Sequence, residues 1–370
     1  MITAIAPTNI AILKYWGKNP AWEEYLIPTK SSLSFTVDKL YTTTTVSAKK
    51  STGNGSRGKI DFSLNGKKIT TTMKEYEYVD DFIIKVGRIF PFVREYDYKI
   101  VSENNFPTSA GFASSASGFA ALIKAIAGEL PEFAAMKNDD AKLSALSRLG
   151  SGSATRSIPT KGGVVLWNRG LEFTDRRDPT KLPKTELDQV MFSSFAQTLF
   201  TPEHWDDFVI VYTKVKAEEK KIKSRAGMKS SIDTNPLYPA WIDYEEGTLK
   251  DQMIEAVKIK DFDKLGRQIM LASNNLHQIC FGTYPPIVYL NQTSLEIIDS
   301  IHELNGGVEE QMNAPIKAAY TFDAGPNAVV FTLKKNENSV ASMLSEIVGE
   351  ENVTISKMGP GAHYSSKHLI

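Results

Sequence analysis

Segments typical of strands and segments typical of helices follow one another along this chain of 370 residues without a regular order. Residues 31–46 are rich in β-branched side chains, which favour strands. Residues 73–90 instead carry apolar side chains at helical spacing. A doubly wound parallel sheet needs strands and helices in strict alternation, which this sequence does not show. We therefore expect an α+β fold.

The same patterns extend to both halves of the chain. Further strands are predicted at 5–13, 98–102, 163–167, 208–215, 318–333 and 353–357, and further helices at 140–149, 249–258, 263–273 and 294–303, besides one that ends near 127. A chain of this length is expected to form about two domains. We place them at 1–185 and 186–370, because turn-forming and charged residues cluster close to that boundary.

Composition and charge exclude several classes of protein. Lys and Arg number 43 and Asp and Glu number 43, so zero net charge gives no general electrostatic case for a nucleic-acid or membrane partner. The single cysteine, Cys280, cannot form an internal disulfide, which fits a reducing compartment. No stretch approaches the roughly 18 apolar residues that span a bilayer, and no signal peptide is recognisable. We expect a cytoplasmic protein.

The segment 107–118, PTSAGFASSASG, is the clearest candidate for a ligand site. Small residues at a helix start let backbone N–H groups approach an anion, and the helix dipole adds attraction. Hydroxyl groups there can also contact Mg²⁺. The alternative is a helix start with small residues selected for close packing. The candidate phosphate-loop residues are Ser109, Gly111, Ser114, Ser115, Ser117 and Gly118.

Three other segments carry charged groups in settings that allow chemistry. The loop GSGSATRS presents Arg156, which can bind a carboxylate or phosphate bidentately or form a surface ion pair. FDAGPNA presents Asp323, either a base or a turn cap. KYWGK presents Lys14 and Lys18, which could equally be solvated lysines at a strand end. The five histidines form no metal-binding motif, so we expect no transition-metal site.

Five segments together, in this order, resemble the mevalonate diphosphate decarboxylase family. That family is part of the galactokinase–homoserine kinase–mevalonate kinase–phosphomevalonate kinase (GHMP kinase) superfamily. The segments are APTNIAILKYWGK, SENNFPTSAGFASSASGFAAL, GSGSATRS, SNNLHQICFGTYPPIVYLN and YTFDAGPNAVVF, and they span residues 6–331. The resemblance implies two α+β lobes with the active site in the cleft between them, a homodimer, and decarboxylation of a phosphorylated mevalonate.

The resemblance also implies roles for individual residues. Asp323 matches the essential aspartate beside the substrate's C3 oxygen, Arg156 the arginine that binds the substrate carboxylate, and Lys14 the lysine that completes this charged set. The 107–118 loop matches the nucleotide-phosphate loop, where Ser115 would contact magnesium if ATP is used. An intact charged set argues against a kinase that phosphorylates C3 without decarboxylation, and against a non-catalytic sensor. The implied substrate-binding residues are Asn9, Tyr15, Lys18, Lys30, Ser151, Ser153 and Arg225.

Three departures from the family pattern bear on the substrate. An ungapped alignment places Tyr78-Val79 where the family has a Pro-Arg pair whose arginine holds the distal substrate phosphate. Lys30 stands where the usual residue is asparagine. Lys223-Ser224-Arg225 replaces a stretch that is normally rich in Ser and Thr. A charge-assisted phosphate contact contributes roughly 1.5–3 kcal/mol, so such exchanges are enough to change the preferred substrate.

On this basis we expect mevalonate 3,5-bisphosphate as substrate, decarboxylated to isopentenyl phosphate with no ATP or other cofactor. Two alternatives remain open. One is a mevalonate 5-diphosphate decarboxylase that uses Mg-ATP, and the other is an ATP-dependent 5-phosphomevalonate decarboxylase. The intact 107–118 loop favours nucleotide binding, although it could equally hold the departing 3-phosphate.

Overall fold

Two β-sheets with helices packed against them form the part of the chain that the computed structural model describes, namely residues 1–52, 58–106, 114–170, 181–215, 222–307 and 314–370. The expected α+β class is confirmed. The strands are β1 (Ile2–Leu13), β2 (Ser32–Lys50), β3 (Ile60–Leu64), β4 (Lys67–Ile69), β5 (Tyr96–Asn104), β6 (Val164–Trp167), β7 (Ala196–Phe200), β8 (Phe208–Thr213), β9 (Ala318–Phe322), β10 (Ala328–Leu333), β11 (Val353–Lys357) and β12 (His363–Ser365).

Most of the predicted helices are present, and several others accompany them. The helices are α1 (Lys74–Ile89), α2 (Ser114–Glu129), α3 (Asp140–Ser147), α4 (Lys184–Ser193), α5 (Ser224–Thr234), α6 (Tyr238–Tyr244), α7 (Lys250–Lys258), α8 (Phe262–Phe281), α9 (Gln292–Leu304) and α10 (Glu337–Val348). None of those in the described ranges is both long and apolar enough to cross a membrane.

The first sheet is organised around the 19-residue strand β2. Its strand order is β12-β1-β2-β5-β3-β4, and β6 joins it to β7. Strand β1 runs antiparallel to β2, from the pair Ile2↔Val46 to the pair Leu13↔Leu33. The second half of β2 pairs with β5, and its first residues pair with β6. The end of β1 is therefore fixed on a wide sheet, and Lys14 follows it directly.

The second sheet is antiparallel, with the order β11-β8-β10-β9. Its apolar face packs against the first sheet, because the ring of Phe35 lies 4.6 Å from Phe208 and 5.4 Å from Phe331, measured between centroids. Helix α8 packs along β9, the strand at the end of this order. Asp323 follows β9 directly, so the shared core brings it towards the end of β1.

The predicted boundary at residue 185 stays a prediction. Strands β7 and β12 both belong to the first sheet, although they lie after that position in the chain. The first sheet therefore takes strands from both ends of the sequence.

Helix α8 is longer than the predicted 263–273. The side chain of Asp261 accepts the backbone N–H of Lys264 and caps its start. At the other end, Leu276, Ile279 and Cys280 continue the buried row of the helix to its last turn. Polar residues in SNNLHQ concealed that periodicity in the sequence.

Candidate active site

A cavity of about 510 Å³ is lined by residues from both halves of the chain. Strand β1 and the residues after it supply one wall, the turn 152–157 and the start of α2 a second, and α5 with Asp323 a third. Five cationic side chains and one carboxylate line it within the described residues, so it is suited to a polyanion. The predicted residues that line it are Asn9, Lys14, Tyr15, Lys18, Ser114, Ser115, Ser151, Ser153, Arg156, Arg225 and Asp323.

Lys14 and Asp323 form an ion pair at the inner end of the cavity. Lys14 Nζ donates to Asp323 Oδ1 at 2.7 Å. The Lys14 side chain is only 2% exposed, whereas that of Asp323 is 55% exposed, so the carboxylate is the partner a ligand can reach. Burial lowers the pKa of Lys14, and the Asp323 carboxylate opposes that shift. The pair therefore presents a charged acceptor held by a buried ammonium.

Arg156 is held against this pair by neutral groups. Its Nε donates to Asn9 Oδ1 at 3.0 Å, and its Nη1 donates to Ser32 Oγ at 3.1 Å. The guanidinium carbon also lies 5.9 Å from the centroid of the Trp167 ring. Burial lowers the pKa of Arg156 to about 10, while Asp323 acts in the opposite direction. No carboxylate of the described residues lies within ion-pair distance of this buried guanidinium, which is therefore suited to bind an anionic group of a ligand.

The turn that carries Arg156 depends on a close contact with Tyr15. A Cβ atom at Gly152 would lie 2.6 Å from the Tyr15 ring, so only glycine fits there. Tyr15 in turn contacts Trp167, with ring centroids 4.8 Å apart. Burial raises the pKa of Tyr15 to about 12, so its phenol is neutral at ordinary pH. Tyr15 therefore shapes the wall rather than adding charge.

Three serine hydroxyls connect this turn to the start of α2. Ser115 Oγ lies 3.2 Å from Ser151 Oγ, which lies 3.1 Å from Ser153 Oγ. Asn9 Nδ2 donates to the carbonyl of Ser153 at 3.1 Å and fixes the turn to β1. Hydroxyls in such a row can donate to, or accept from, a phosphorylated ligand.

The outer end of the cavity has its own cations. Arg225, near the start of α5, donates from Nη2 to the carbonyl of Gly150 at 2.9 Å, and its guanidinium carbon lies 5.7 Å from the centroid of the Tyr78 ring. Lys18 Nζ lies 3.6 Å from a carboxylate oxygen of Glu23. Burial lowers the pKa of Lys18, and Glu23 counteracts this. Tyr78 itself lines the wall where the sequence comparison had placed the Pro-Arg pair.

A second, mainly apolar cavity of about 320 Å³ shares Tyr78, Ser114, Ser115 and Phe119 with the first. Gly118 lines it, and so does Val79, which is buried. It lies between α1, α2 and the first sheet, so a ligand with an apolar ring system and a charged end could occupy both spaces.

Lys30 does not line the charged cavity, and its expected contact with substrate is corrected. Its ammonium donates to Glu245 Oε2 at 2.5 Å and lies 4.7 Å from the centroid of the Trp241 ring. Both charged side chains are almost completely buried. The lysine is thus used in an internal ion pair.

The predicted role of Ser117 in the phosphate loop is also corrected. It is buried, and its Oγ lies 2.6 Å from Thr42 Oγ on the sheet side of α2. Ser114 and Ser115, one turn earlier, line both cavities instead. Ser109 and Gly111 lie outside the described residues.

Several residues of this site had not been predicted, and three of them illustrate why. Ser32 and Trp167 hold Arg156, and Leu276 adds an apolar patch to the cavity wall. Ser32 and Trp167 lie on β2 and β6, far from Arg156 in the sequence, and only the strand pairing brings them together. Nothing in the local pattern of the chain marks them.

No group of three or more His, Cys, Asp or Glu side chains in the described ranges could hold a metal ion by itself. A magnesium ion here would therefore need ligands from a bound phosphate, with hydroxyls such as that of Ser115 completing them.

Two family models match the chain. The diphosphomevalonate decarboxylase-like N-terminal domain matches residues 6–178, and the mevalonate 5-diphosphate decarboxylase C-terminal domain matches residues 209–366. Among curated relatives, the diphosphomevalonate decarboxylase of Candida albicans is 35% identical over 391 residues, covering 98% of each chain.

Solved structures show the same relationship in three dimensions. Mevalonate diphosphate decarboxylase from Staphylococcus aureus superposes with a TM-score of 0.81 at 30% identity, covering 99% of this chain and 98% of that one. A complex of the enzyme called MDDEF with MVAPP, AMPPCP and magnesium gives a TM-score of 0.79 at 32% identity, covering 99% of both chains. The fold is that of the GHMP kinase superfamily.

Proposed function

Because the chain belongs to the diphosphomevalonate decarboxylase family, we propose that it converts mevalonate 5-diphosphate and Mg-ATP to isopentenyl diphosphate, carbon dioxide, phosphate and ADP. It is a carboxy-lyase that acts on a phosphorylated mevalonate. The observation that carries the proposal is the joining of the charged cavity to the apolar cavity at Ser114 and Ser115. Together they can receive an anionic substrate and a nucleotide side by side.

The inner end of the cavity supplies the groups that the reaction needs. Asp323, fixed by Lys14, would lie beside the C3 hydroxyl, where a carboxylate can accept the proton as the oxygen becomes phosphorylated. The C3–O bond then breaks, and its electron pair leaves with the phosphate. The C1–C2 electron pair forms the C2=C3 double bond and releases carbon dioxide. Arg156 would hold the C1 carboxylate until that step.

ATP supplies the phosphoryl group, and magnesium would neutralise its phosphate oxygens. Ser114 and Ser115 are the described residues of the phosphate loop that would contact them. The expectation of a reaction without nucleotide finds no support in the comparisons, since the relatives are named as diphosphomevalonate decarboxylases and one structure of such a relative contains AMPPCP and magnesium.

Mevalonate 3,5-bisphosphate remains a second candidate on one specific observation. Tyr78 lines the outer wall of the cavity and Val79 is buried, so neither position provides an arginine for a distal phosphate. Arg225 and Lys18 supply positive charge there instead. A substrate with a shorter 5-monophosphate and an existing 3-phosphate would suit this distribution.

One experiment separates these candidates. The purified protein is incubated with mevalonate 5-diphosphate, 5-phosphomevalonate or mevalonate 3,5-bisphosphate, each with and without Mg-ATP, and carbon dioxide is measured. We expect release from the 5-diphosphate only when Mg-ATP is present. Release from the bisphosphate without nucleotide would replace the main proposal by the second candidate. A 3-phosphorylated acid without carbon dioxide would make the protein a kinase.

Arg225→Ala tests the outer end of the site in the same assay. Loss of one charge-assisted phosphate contact should raise KM for the preferred substrate by about tenfold or more, with a smaller change in kcat. Lys229→Ala is the matched control, because Lys229 lies on the same helix and pairs with Asp233 at 2.7 Å. An unchanged KM in Arg225→Ala would remove Arg225 from the site.

A further inference from the structure

The residue that precedes Asp323 is held by side chains of α8 rather than by a further strand. Strand β9 pairs with β10 through Phe322↔Ala328 and neighbouring pairs, and it ends the described strand order on its other side. On that outer side the backbone N–H of Phe322 donates to Ser273 Oγ at 3.0 Å. The N–H and C=O of one strand residue point to the same side. The Phe322 carbonyl therefore also faces α8.

His277 is the residue of α8 that meets this carbonyl. It lies four positions after Ser273, hence one turn further along the same face. Its ring packs edge-on against Phe322, with centroids 6.2 Å apart and planes at 78°. The Phe322 backbone also acts to raise the pKa of His277, as a carbonyl approached by a ring N–H does.

The two ring nitrogens of His277 have different surroundings. Nε2 is buried and has no hydrogen-bond partner among the residues that the structure describes. Nδ1–H is therefore the ring donor that we assign to the carbonyl. Burial, followed by the positive charge of Lys14, lowers the pKa of His277 to about 4, so the ring is a neutral donor at ordinary pH. A charged ring would add a further cation beside Lys14.

The main chain at the start of β9 is also bound by a side chain. Asn305 Nδ2 donates to the carbonyl of Ala318 at 2.9 Å, and its Oδ1 accepts the N–H of Ala318 at 3.1 Å. Both ends of the strand are thus fixed by side chains that replace a neighbouring strand. At the other end of β9, the fixed residue Phe322 immediately precedes Asp323, so its position determines that of the carboxylate.

We propose that His277 is a positioning residue, which together with Ser273 fixes the Phe322 main chain and so directs the Asp323 carboxylate towards Lys14 and the substrate. This inference rests on the proposed decarboxylase function. It assigns to His277 no contact with substrate. Its effect should therefore appear in the rate of the chemical step, because a small misplacement of a catalytic group weakens transition-state stabilisation more than binding.

Kinetics of three variants test the proposal, with the substrate on which the wild-type protein releases carbon dioxide. His277→Phe keeps a ring and removes the donor, and we expect kcat to fall at least tenfold while KM changes less than threefold. His277→Asn places an amide N–H near the position of Nδ1 and should restore kcat to within threefold of wild type. His302→Phe is the matched control, because His302 packs edge-on against Tyr320, which lies further from Asp323 along the same strand than Phe322 does. It should stay within twofold of wild type.

Other results would overturn the proposal. A wild-type kcat in His277→Phe, or equal losses in His277→Phe and His302→Phe, would assign the ring to packing alone. If His277→Phe does not fold, His277→Asn is compared with His277→Gln, whose amide mimics Nε2. Rescue by Gln and not by Asn would refute the Nδ1 contact.

A spectroscopic measurement does not depend on activity. In protein labelled with ¹⁵N-histidine, the two-bond ¹H–¹⁵N couplings should show His277 as the neutral Nδ1–H tautomer at pH 7, with the signal assigned by its loss in His277→Asn. An Nε2–H tautomer would reject the inference. If the wild-type protein releases no carbon dioxide from any substrate, the proposed function fails, while the tautomer still decides whether His277 binds the Phe322 carbonyl.

Discussion

At the scale of single residues, the site depends on the contrast between a buried ammonium and an accessible carboxylate. The Lys14 side chain is buried, whereas Asp323 faces the cavity. The distance from Lys14 Nζ to Asp323 Oδ1 is 2.7 Å. Burial of Lys14 strengthens its interaction with neighbouring anions, because little water remains around the ammonium to screen its charge. The reactivity of Asp323 therefore depends on its neighbours rather than on the carboxylate alone.

Asp323→Asn should lower kcat at least a hundredfold and leave substrate binding largely intact, because an amide cannot accept the C3 proton. Steady-state kinetics together with a direct binding measurement check this. Asp243→Asn, at an exposed position of α6, is the control and should behave as wild type. A kcat near wild type in Asp323→Asn would show that Asp323 is not the proton acceptor.

The lowered pKa of Lys14 predicts an alkaline limit on activity. The free side chain titrates near 10.5, and burial moves the folded-state pKa below that value. The ammonium is thus fully present at low pH and is lost as the pH rises through the lowered pKa. As the pH is raised, kcat/KM should therefore begin to decrease before pH 10.5 is reached, and loss of the Arg156 proton, whose pKa is about 10, should add to this decrease. The Lys18→Gln variant should show the same decrease in kcat/KM at high pH. If the decrease is absent in this variant, it is caused by deprotonation of Lys18 rather than of Lys14.

At the scale of elements, the sequence predicted what is periodic or local. The strands around β1 and β2 and the cores of α1 and α9 follow from spacing and β-branching. Helix α10 was not predicted, although Val340 and Leu344 are buried and Met343 and Ile347 pack against the core. Lys30 was misassigned because its partner, Glu245, lies in a π-helical turn between α6 and α7, over 200 residues away.

The Lys30–Glu245 pair predicts a strong effect on stability. Glu245→Leu leaves a buried ammonium without its counter-charge, which should cost about 3–5 kcal/mol in the free energy of unfolding. The double variant Lys30→Met/Glu245→Leu should recover most of this loss, since no buried charge remains. Urea unfolding measures both. Lys229→Ala breaks an exposed pair and should leave the stability close to that of the wild type. A double variant no more stable than the single one would contradict this account.

At the scale of the whole molecule, the first and last strands lie side by side in one sheet. Strand β12, near the C-terminus, pairs with β1 near the N-terminus, and Thr3 Oγ1 lies 2.7 Å from His368 Nδ1. This pairing could not be predicted from the sequence, because β12 is three residues long and its partner strand is distant in the chain. The overall two-lobed fold was predicted through the resemblance of five segments to a known family, whereas the route of the chain between the sheets was not.

Deletion of residues 363–370 should therefore destabilise the protein. It removes β12, the contact of His368 and the bond from the Leu369 N–H to Thr45 Oγ1. At about 0.5–1.5 kcal/mol for each hydrogen bond lost, the free energy of unfolding should fall by roughly 2–5 kcal/mol. Urea unfolding of the truncated protein checks this against deletion of Ile370 alone. Equal stabilities would show that the terminal strand adds nothing.

The charged cavity has a further consequence for a protein of zero net charge. Five cations face one carboxylate in it, so an excess of negative charge must lie elsewhere on the molecule. Small anions such as sulfate and inorganic phosphate should then compete for the cavity, and the released phosphate should inhibit its own formation. Capture of the substrate should slow as ionic strength rises, although the protein as a whole carries no net charge.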